Sequence, residues 1–358
     1  MPDNIQNKNN NLLNLLALLK LTSPGTPLRE GLEMILQANT GGLIVVENAE
    51  KVINAIDGGF KVDCYLTPPA LAELAKMDGA IILSKDMKKI LYANTQLVPD
   101  YLISTSERGT RHRAAERMAK QTNSLVIAIS QSRNIVSLYQ GEIKYVLKST
   151  SELVSKASQA LQTLERYRLV FNEALDELEI LEFQDQVKLF DVLNIVQKGE
   201  MIKRIKGEIG RYIVELGRES RLIEMQLKEM VGNILDEYRE IIRDYTKENY
   251  RKVIEKLMKM SMEELLEPTN IMGIMGYRAK AENLDISVSS RGYRVLSKIP
   301  HLSSSVIENV VKALGDLPNI MNTTAVDLTE INEVGEIRAN SIKQELERLK
   351  NKIFLKKY

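Results

Sequence analysis

Cysteine, histidine and tryptophan are scarce in this chain of 358 residues, which contains one, two and none of them respectively. The single cysteine, Cys64, excludes an intramolecular disulfide framework and a cysteine-rich zinc or iron–sulfur site. We expect Cys64 to be a packed strand residue. The two histidines, His112 and His301, are too few for a histidine-based metal cluster.

An excess of one charge is also missing, because 49 basic and 48 acidic residues leave a net charge of +1. This balance excludes a globally basic nucleic-acid-binding protein, although it permits a local basic surface. The longest early apolar run, at 12–19, is interrupted by Asn14 and is too short to span a bilayer. It also lacks the flanking features of a signal peptide. We therefore predict a cytoplasmic protein without a membrane partner.

Common catalytic motifs are absent as well. The dipeptide Gly-Lys never occurs, so there is no Walker A loop, and neither G-x-S-x-G nor H-E-x-x-H is found. The usual phosphate-loop and hydrolase mechanisms are thereby excluded.

Proline is missing between Pro99 and Pro268, which permits long helices in that interval. Before it, short apolar runs bounded by turn residues predict strands at 43–46, 80–83, 90–92, 125–129 and 135–139. Helices are predicted to start at Thr26-Pro27 and to cover 69–77 and 113–122. Alternating strands and helices indicate a sheet covered by helices. Residues 149–265 show apolar spacing of three and four residues, typical of a helical bundle that serves as a spacer or oligomer contact.

Asp78 and Gly79 lie between a predicted helix and a predicted strand, in M-D-G-A at 77–80. One interpretation is an Asp-Gly turn that only joins the two elements. The other is a carboxylate at a strand edge that holds Mg²⁺ or accepts a proton from a hydroxyl.

A basic motif, G-T-R-H-R at 109–113, leads into a predicted helix with Thr110 as its N-cap. Arg111 and Arg113 flank His112, and guanidinium groups at a helix N-terminus suit a polyphosphate. The alternative is a surface basic cluster.

Taken together, six stretches resemble the diadenylate cyclase domain, and the D-G-A and R-H-R motifs occur in that family's order, about thirty residues apart. The stretches are 25–29, 39–46, 57–60, 73–81, 91–94 and 109–113. Residues 20–358 as a whole resemble the bacterial DNA integrity scanning family. The resemblance implies a multidomain α/β plus all-α protein. Its domains would be an α/β cyclase domain with a mixed sheet at 1–148, a helical linker at 149–290 and a helix–hairpin–helix domain at 291–358.

This resemblance implies that two ATP molecules condense into cyclic di-AMP with release of pyrophosphate. Asp78 matches the aspartate that binds Mg²⁺ or Mn²⁺ and helps activate the attacking 3′-hydroxyl. Arg111 and Arg113 match the phosphate-binding arginines and complete the catalytic set. The nucleotide-binding positions also include Gly79, Leu97, Thr110, His112, Ala114 and Ser130. We expect His112 to position the arginines or contact the nucleotide rather than act as a general base.

Two positions depart from the family's pattern. Ala114 stands where relatives often carry Thr, and we expect activity to survive. Ser132 stands where relatives often carry a second Arg beside Arg133, which weakens phosphate binding modestly.

One domain binds one ATP, whereas the product joins two nucleotides, so catalysis needs self-association. The resemblance implies a homo-octamer with face-to-face cyclase domains, spaced by the helical middle. An isologous contact is what two-fold symmetry gives.

Two C-terminal stretches resemble tandem helix–hairpin–helix motifs, one at 296–311 and one at 328–339. Such hairpins offer backbone N–H groups to the phosphates of branched or junction DNA without reading its sequence. Glu333 replaces the first glycine of the second hairpin, while Gly335 is kept. Residues 291–358 hold 11 basic and 8 acidic residues, and Lys298, Arg338 and the terminal lysines add salt-dependent affinity. The alternative is a purely structural helical cap, and His301 is expected in a hairpin or on the surface.

Three functions follow from these patterns. The first is a diadenylate cyclase controlled by branched DNA, as part of DNA-damage checkpoint signalling. The second is a non-catalytic sensor that binds ATP and junction DNA. The third, a structural coiled-coil protein, leaves the first domain unexplained.

Overall fold

The computed structural model describes residues 13–46 and 50–356, and these residues fall into two compact units. Unit 1 comprises the described parts of Met1–Ser158 together with Gly210–Glu224. Unit 2 comprises Gln159–Ile209 and the described part of Met225–Tyr358. The boundaries at 148 and 290 inferred from the sequence stay predictions.

Unit 1 is built on an eight-stranded mixed sheet. Its strands are β1 (Gly42–Val46), β2 (Ile56–Asp57), β3 (Phe60–Tyr65), β4 (Ala80–Leu83), β5 (Lys89–Leu97), β6 (Val126–Ser130), β7 (Ile135–Gln140) and β8 (Ile143–Val146). The strand order is β2-β5-β4-β1-β6-β7-β8, and β3 also pairs with β5. Among the strands of the described residues, only the β1–β4 pair is parallel. The expected mixed α/β domain is thereby confirmed.

Five helices accompany the sheet in the described part of unit 1 before residue 149. They are α1 (residues 13–21), α2 (Pro27–Gln37), α3 (Glu50–Ile53), α4 (Pro68–Leu74) and α5 (Thr110–Thr122). Thr26 caps α2 and Thr67 caps α4, each by accepting a backbone N–H, and each helix has proline in its first turn. The helix start expected at Thr26-Pro27 is confirmed.

The core of unit 1 lies on both faces of the sheet, because every residue of β1 and β4 is buried. Successive strand residues point to opposite faces. Ile44 therefore packs in the cluster that includes Leu32 of α2, whereas Val45 packs in the cluster that includes Met118 of α5. Cys64 lies in β3 and packs against the first cluster, which confirms its expected role.

The apolar runs in the sequence did not reveal β2 and β8, and β3 was indicated only at Cys64. These strands carry polar residues between partly buried ones, as in F-K-V-D-C-Y of β3, so their apolar signal is weak. Helix α4 ends at Leu74 rather than at residue 77, and β5 runs from Lys89 through the polar Asn94 to Leu97 rather than over 90–92.

Two long helices, α6 (Thr150–Gln184) and α7 (Leu189–Leu216), contribute residues to both units. The helices that follow are α8 (Arg221–Val231), α9 (Ile234–Tyr245), α10 (Tyr250–Lys259), α11 (Met262–Leu266), α12 (Pro268–Ile274), α13 (Tyr293–Ser297), α14 (Ser304–Leu314), α15 (Leu317–Asn322), α16 (Ala325–Thr329) and α17 (Glu336–Lys356), with short 3₁₀ turns at Gly217–Ser220 and Ala281–Asn283. The helical character expected after residue 149 is confirmed. None of the described helices has the length and apolarity needed to cross a membrane.

The end of unit 2 contains two helix–loop–helix segments, α13 with α14 and α16 with α17. Each loop holds one non-glycine residue in the left-handed region, His301 with φ 64° and Glu333 with φ 67°. The buried side chains of these helices share one core that also includes Phe183 of α6. Lys357, one of the terminal lysines, lies outside the described residues.

Candidate nucleotide-binding and active site

A cleft of about 600 Å³ in unit 1, called the main cleft below, collects residues from β1, β2, β5 and α5 and from the turns that follow β2 and precede β4. Six of the residues expected at the site line it: Asp78, Gly79, Leu97, Thr110, Arg111 and Ala114. The D-G-A and R-H-R motifs, which are far apart in sequence, therefore meet at one surface.

The Asp78-Gly79 turn owes its shape to Gly79, which has φ +88°. A Cβ atom at Gly79 would lie 2.8 Å from the carbonyl oxygen of Thr95 and 2.9 Å from the carbonyl carbon of Asn94, so no side chain fits against β5. The backbone closes tightly here and leaves the exposed Asp78 carboxylate at the cleft. The turn is confirmed, and Asp78 lies where a carboxylate can face a ligand, while its role toward Mg²⁺ or a hydroxyl proton stays a prediction.

Asp57 is a second carboxylate at the cleft, and the sequence analysis did not assign it. It lies at the end of β2, opposite Gln96 of β5, and precedes the Gly58-Gly59 turn. A Cβ atom at Gly59 would lie 2.7 Å from the carbonyl oxygen of Ala93, so this turn also lies close against β5. The D-G-G sequence was the only available signal, since the pairing of β2 with β5 cannot be read locally.

Helix α5 begins at Thr110, whereas a cap at Thr110 would have made Arg111 its first residue. Gly109 is the N-cap, with φ −79° and ψ 142° and no side-chain cap, so the expectation that Thr110 caps the helix is wrong. Thr110 is the first helical residue, and the first turn's N–H groups lack intrahelical partners. Thr110, Arg111 and Ala114 line the cleft, which therefore combines a helix N-terminus with a guanidinium group.

His112 and Ser130 line a separate cavity of about 260 Å³, together with Ser132, Arg108 and Arg133. Arg113 is exposed and lines neither cavity. Consecutive helical residues point about 100° apart, so the three residues of R-H-R cannot converge on one cavity of the same domain.

Glu107 is the anion of this second cavity, and two donors fix its carboxylate. Tyr139 Oη donates to Glu107 Oε1 at 2.7 Å, and Lys144 Nζ lies 2.6 Å from the same oxygen. Burial alone would raise the pKa of the Glu107 carboxyl, but the bonds from Lys144 and Tyr139 outweigh it and hold that pKa below its ordinary value. Burial, followed by the bond to Glu107, raises the pKa of Tyr139.

The His112 ring meets the Tyr139 ring edge to face, with centroids 6.4 Å apart. Burial lowers the pKa of His112 below its ordinary value. The opposing charge of Glu107 does not reverse this, because three cations add to the effect of burial: Arg133, Arg111 and Lys144. His112 is therefore neutral near pH 7, which fits a contact or positioning role.

The carboxylates of Asp57 and Asp78 both line the main cleft and would offer oxygen ligands to a divalent cation. The described residues contain no group of three or more His, Cys, Asp and Glu side chains that can hold a metal by itself. Mg²⁺ is usually bound by one or two carboxylates together with substrate phosphates. The residues present fit that pattern.

Two family profiles match this chain. The one described as DisA bacterial checkpoint controller nucleotide-binding matches residues 29–143, and the one described as DisA bacterial checkpoint controller linker region matches 147–284. The first range contains all the candidate site residues.

Curated relatives match nearly the whole chain, and each of the following is named DNA integrity scanning protein DisA. The relative from Carboxydothermus hydrogenoformans is 51% identical over 340 residues, which are 94% of this chain and 97% of the relative. The relative from Clostridioides difficile is 46% identical over 96% of this chain and 98% of the relative. The chain therefore belongs to the family of the DNA integrity scanning protein DisA, and it is a diadenylate cyclase.

Proposed function

We propose that this chain condenses two ATP molecules into cyclic di-AMP and pyrophosphate at the main cleft, and that branched DNA regulates the reaction. The observation that carries the catalytic part is the meeting of Asp78, Gly79 and Arg111 in one cleft with the N-terminus of α5. We also propose a cytoplasmic location, because both proposed partners, ATP and DNA, are found there.

ATP binds with its phosphates at the start of α5. Arg111 supplies a guanidinium fork and Thr110 a hydroxyl and a backbone N–H, and both line the cleft. Gly79 and Leu97 both line the cleft, where the backbone of Gly79 lies against the adenosine and Leu97 gives it an apolar contact. Ala114, one helical turn after Thr110, lies on the same side and keeps this surface open.

Asp78 has two tasks in this proposal. Its carboxylate holds Mg²⁺ or Mn²⁺, together with Asp57, and accepts the proton of the attacking 3′-hydroxyl. When bound, the cation stabilises negative charge on the phosphates. Arg111 stabilises the charge that develops on the α-phosphate and on the leaving pyrophosphate.

The second cavity extends phosphate recognition. Ser130, His112, Arg108 and Arg133 surround it, and a neutral imidazole between arginines donates or accepts a hydrogen bond without adding charge. Ser132 also lines it, where a second arginine would have strengthened anion binding. Arg113 is exposed and lines neither cavity, so we assign its role in catalysis to the contact with a facing domain.

Two facing domains are required, since each supplies one nucleotide to the product. We propose a homo-octamer in which isologous contacts bring cyclase domains face to face and the helices after residue 149 space them.

Mass spectrometry of a reaction with ATP and Mg²⁺ or Mn²⁺ tests the catalytic proposal. The wild type should produce cyclic di-AMP, and Asp78→Asn should form none while keeping the same assembly state. Full activity in Asp78→Asn would contradict the role of Asp78. A folded, oligomeric wild type that makes no product with either metal would favour the non-catalytic DNA sensor.

For DNA, we propose that the two helix–loop–helix segments act as helix–hairpin–helix motifs that bind phosphates of branched DNA. The left-handed residue in each loop supports this, because His301 and Glu333 take the backbone conformation that glycine adopts easily. Glu333 accepts a hydrogen bond from Ser305 Oγ at 2.9 Å, so its negative charge lies beside the start of α14. This charge opposes an approaching phosphate.

Adding a four-way junction should lower the rate of cyclic di-AMP formation, and an unchanged rate at saturating junction would contradict the regulatory proposal.

Glu333→Gly should bind junction DNA several-fold more tightly than the wild type, because a charge is removed and φ 67° suits glycine. Glu333→Gln, which removes only the charge, separates the two effects. Equal affinity in all three proteins would exclude the second loop from the DNA interface.

A further inference from the structure

Gly41 lies directly against the guanidinium group of Arg111. A Cβ atom built on Gly41 would overlap Nη1 of Arg111 and would lie 2.8 Å from its Cζ and 3.2 Å from its Nη2. Gly41 precedes β1, whereas Arg111 is in the first turn of α5, so the contact joins two distant parts of the chain.

Packing alone fixes this guanidinium group. Within residues 13–46 and 50–356, the Arg111 side chain forms no hydrogen bond or ion pair. A long flexible side chain without a polar partner has many rotamers, and the backbone surface at Gly41 restricts them. The Arg111 guanidinium group therefore lies at the cleft, and its N–H donors are available to a ligand.

The backbone at Gly41 cannot retreat to make room for a methyl group. On one side, Thr40 N donates to Ile35 O at 3.2 Å, which ties the loop to the end of α2. On the other side, Gly42 pairs with Ile129 of β6 in the centre of the sheet. An added methyl group must therefore displace Arg111, whose far end is flexible, rather than the loop.

We propose that Gly41 is a positioning residue: its lack of a side chain lets the Arg111 guanidinium lie against the backbone and face the cleft where the nucleotide phosphates bind. This inference rests on the proposed function, because it assumes that the cleft holds phosphates. Gly41 does not line the cleft and acts through Arg111. The backbone of Gly41 is not in the left-handed region, so alanine fits its conformation without strain.

The test is a double-mutant cycle on nucleotide affinity, using Gly41→Ala, Arg111→Ala, the double variant and a non-hydrolysable ATP analogue. Gly41→Ala should weaken binding about tenfold, because displacing a recognition group by about an ångström is costly. In the Arg111→Ala background the same change should weaken binding less than about twofold. Unfolding temperatures should match the wild type throughout.

Gly207→Ala is the matched control, since Gly207 is exposed in α7 and a Cβ there meets nothing within 4 Å. It should leave affinity unchanged. Wild-type affinity in Gly41→Ala, or an equal loss with and without Arg111, would overturn the proposal. Cyclic di-AMP formation is measured in parallel. A wild type that binds the analogue but makes no product contradicts the proposed reaction, while the double-mutant cycle still tests Gly41. A wild type that does not bind the analogue overturns both the proposed reaction and the role of Gly41.

Discussion

His112 is the residue in the second cavity whose charge is most sensitive to pH. Its pKa lies below the ordinary 6.5, through burial and the nearby cations. A lowered pKa means that the unfolded chain binds the proton more readily, so its contribution to stability is present above pH 6.5 and is lost as pH falls through the lower value. We expect the NMR titration of the His112 imidazole to have its midpoint below 6.5.

The chain's small number of histidines makes this measurement simple, because only His112 and His301 give imidazole signals. His301→Asn assigns the remaining signal to His112. In Glu107→Gln the midpoint should fall further, since the charge of Glu107 raises this pKa in the wild type. A midpoint at or above 6.5, or a rise in Glu107→Gln, would contradict the electrostatics of this cavity.

Arg294 is a structural residue, although the sequence groups it with the basic residues of the C-terminal segment. Its side chain is 1% exposed and forms an ion pair with the buried Glu182 of α6. Glu237 Oε2 lies 3.5 Å from Arg294 Nη1. Removing one partner of a buried pair leaves an unpaired buried charge. Arg294→Ala should therefore lower the free energy of unfolding by about 3–5 kcal/mol, as measured by urea denaturation.

Arg348→Ala is the control for this change. Arg348 is 74% exposed and pairs with Glu345 on the same helix, so its loss should cost less than about 0.5 kcal/mol. Equal destabilisation by the two substitutions would contradict the structural role of Arg294. Removing residues 291–358 is a poor test of DNA regulation, because it also removes the ion-pair partner of Glu182 and most of the core shared with Phe183.

At the scale of secondary-structure elements, the start of α13 is capped by a side chain from another helix. Asp244 of α9 accepts the N–H of Tyr293 at 2.7 Å and of Arg294 at 3.0 Å, which satisfies two of the free donors at the start of α13. Burial, and then the charge of Glu182, raises the pKa of Asp244 to about 7. The stability that depends on this raised pKa is fully present below pH 3.8, the ordinary pKa of aspartate, and is lost as the pH rises through about 7.

Asp244→Asn should accordingly be less stable than the wild type at pH 5, because an amide oxygen replaces a carboxyl group that accepts two bonds. The deficit should shrink at pH 8, where the wild type carries an ionised buried carboxylate beside Glu182. Thermal unfolding of both proteins across this range measures the difference. A deficit that grows with pH would show that the pKa of Asp244 is not raised.

On the scale of the whole molecule, the proposed reaction needs two intact cyclase domains for each product. When wild type and Asp78→Asn are co-expressed in equal amounts and mix at random, about a quarter of the facing pairs contain two intact domains. Product formation should fall to about a quarter of the wild-type rate, as measured by mass spectrometry. A fall to one half would indicate that each domain works alone.

Much of the cyclase domain could be predicted from the sequence, because its signals are local. Apolar runs of the central strands and the helical spacing after residue 149 follow from periodicity. The Asp78-Gly79 turn and the arginines at 111 and 113 were recognised from short motifs. The edge strand β8 was missed because its alternating polar residues give little apolar signal.

The sequence by itself determined which residue types this protein brings to its chemistry, and only the tertiary structure decided which of them meet. Asp57 reaches the cleft because β2 pairs with β5, and Gly41 reaches Arg111 because α5 packs against the sheet face that includes β1. The helical turn separates Arg111 from Arg113. Burial turns Arg294 from a surface cation into a core ion pair. Local patterns encode helices and turns, whereas long-range pairing and burial depend on the whole fold.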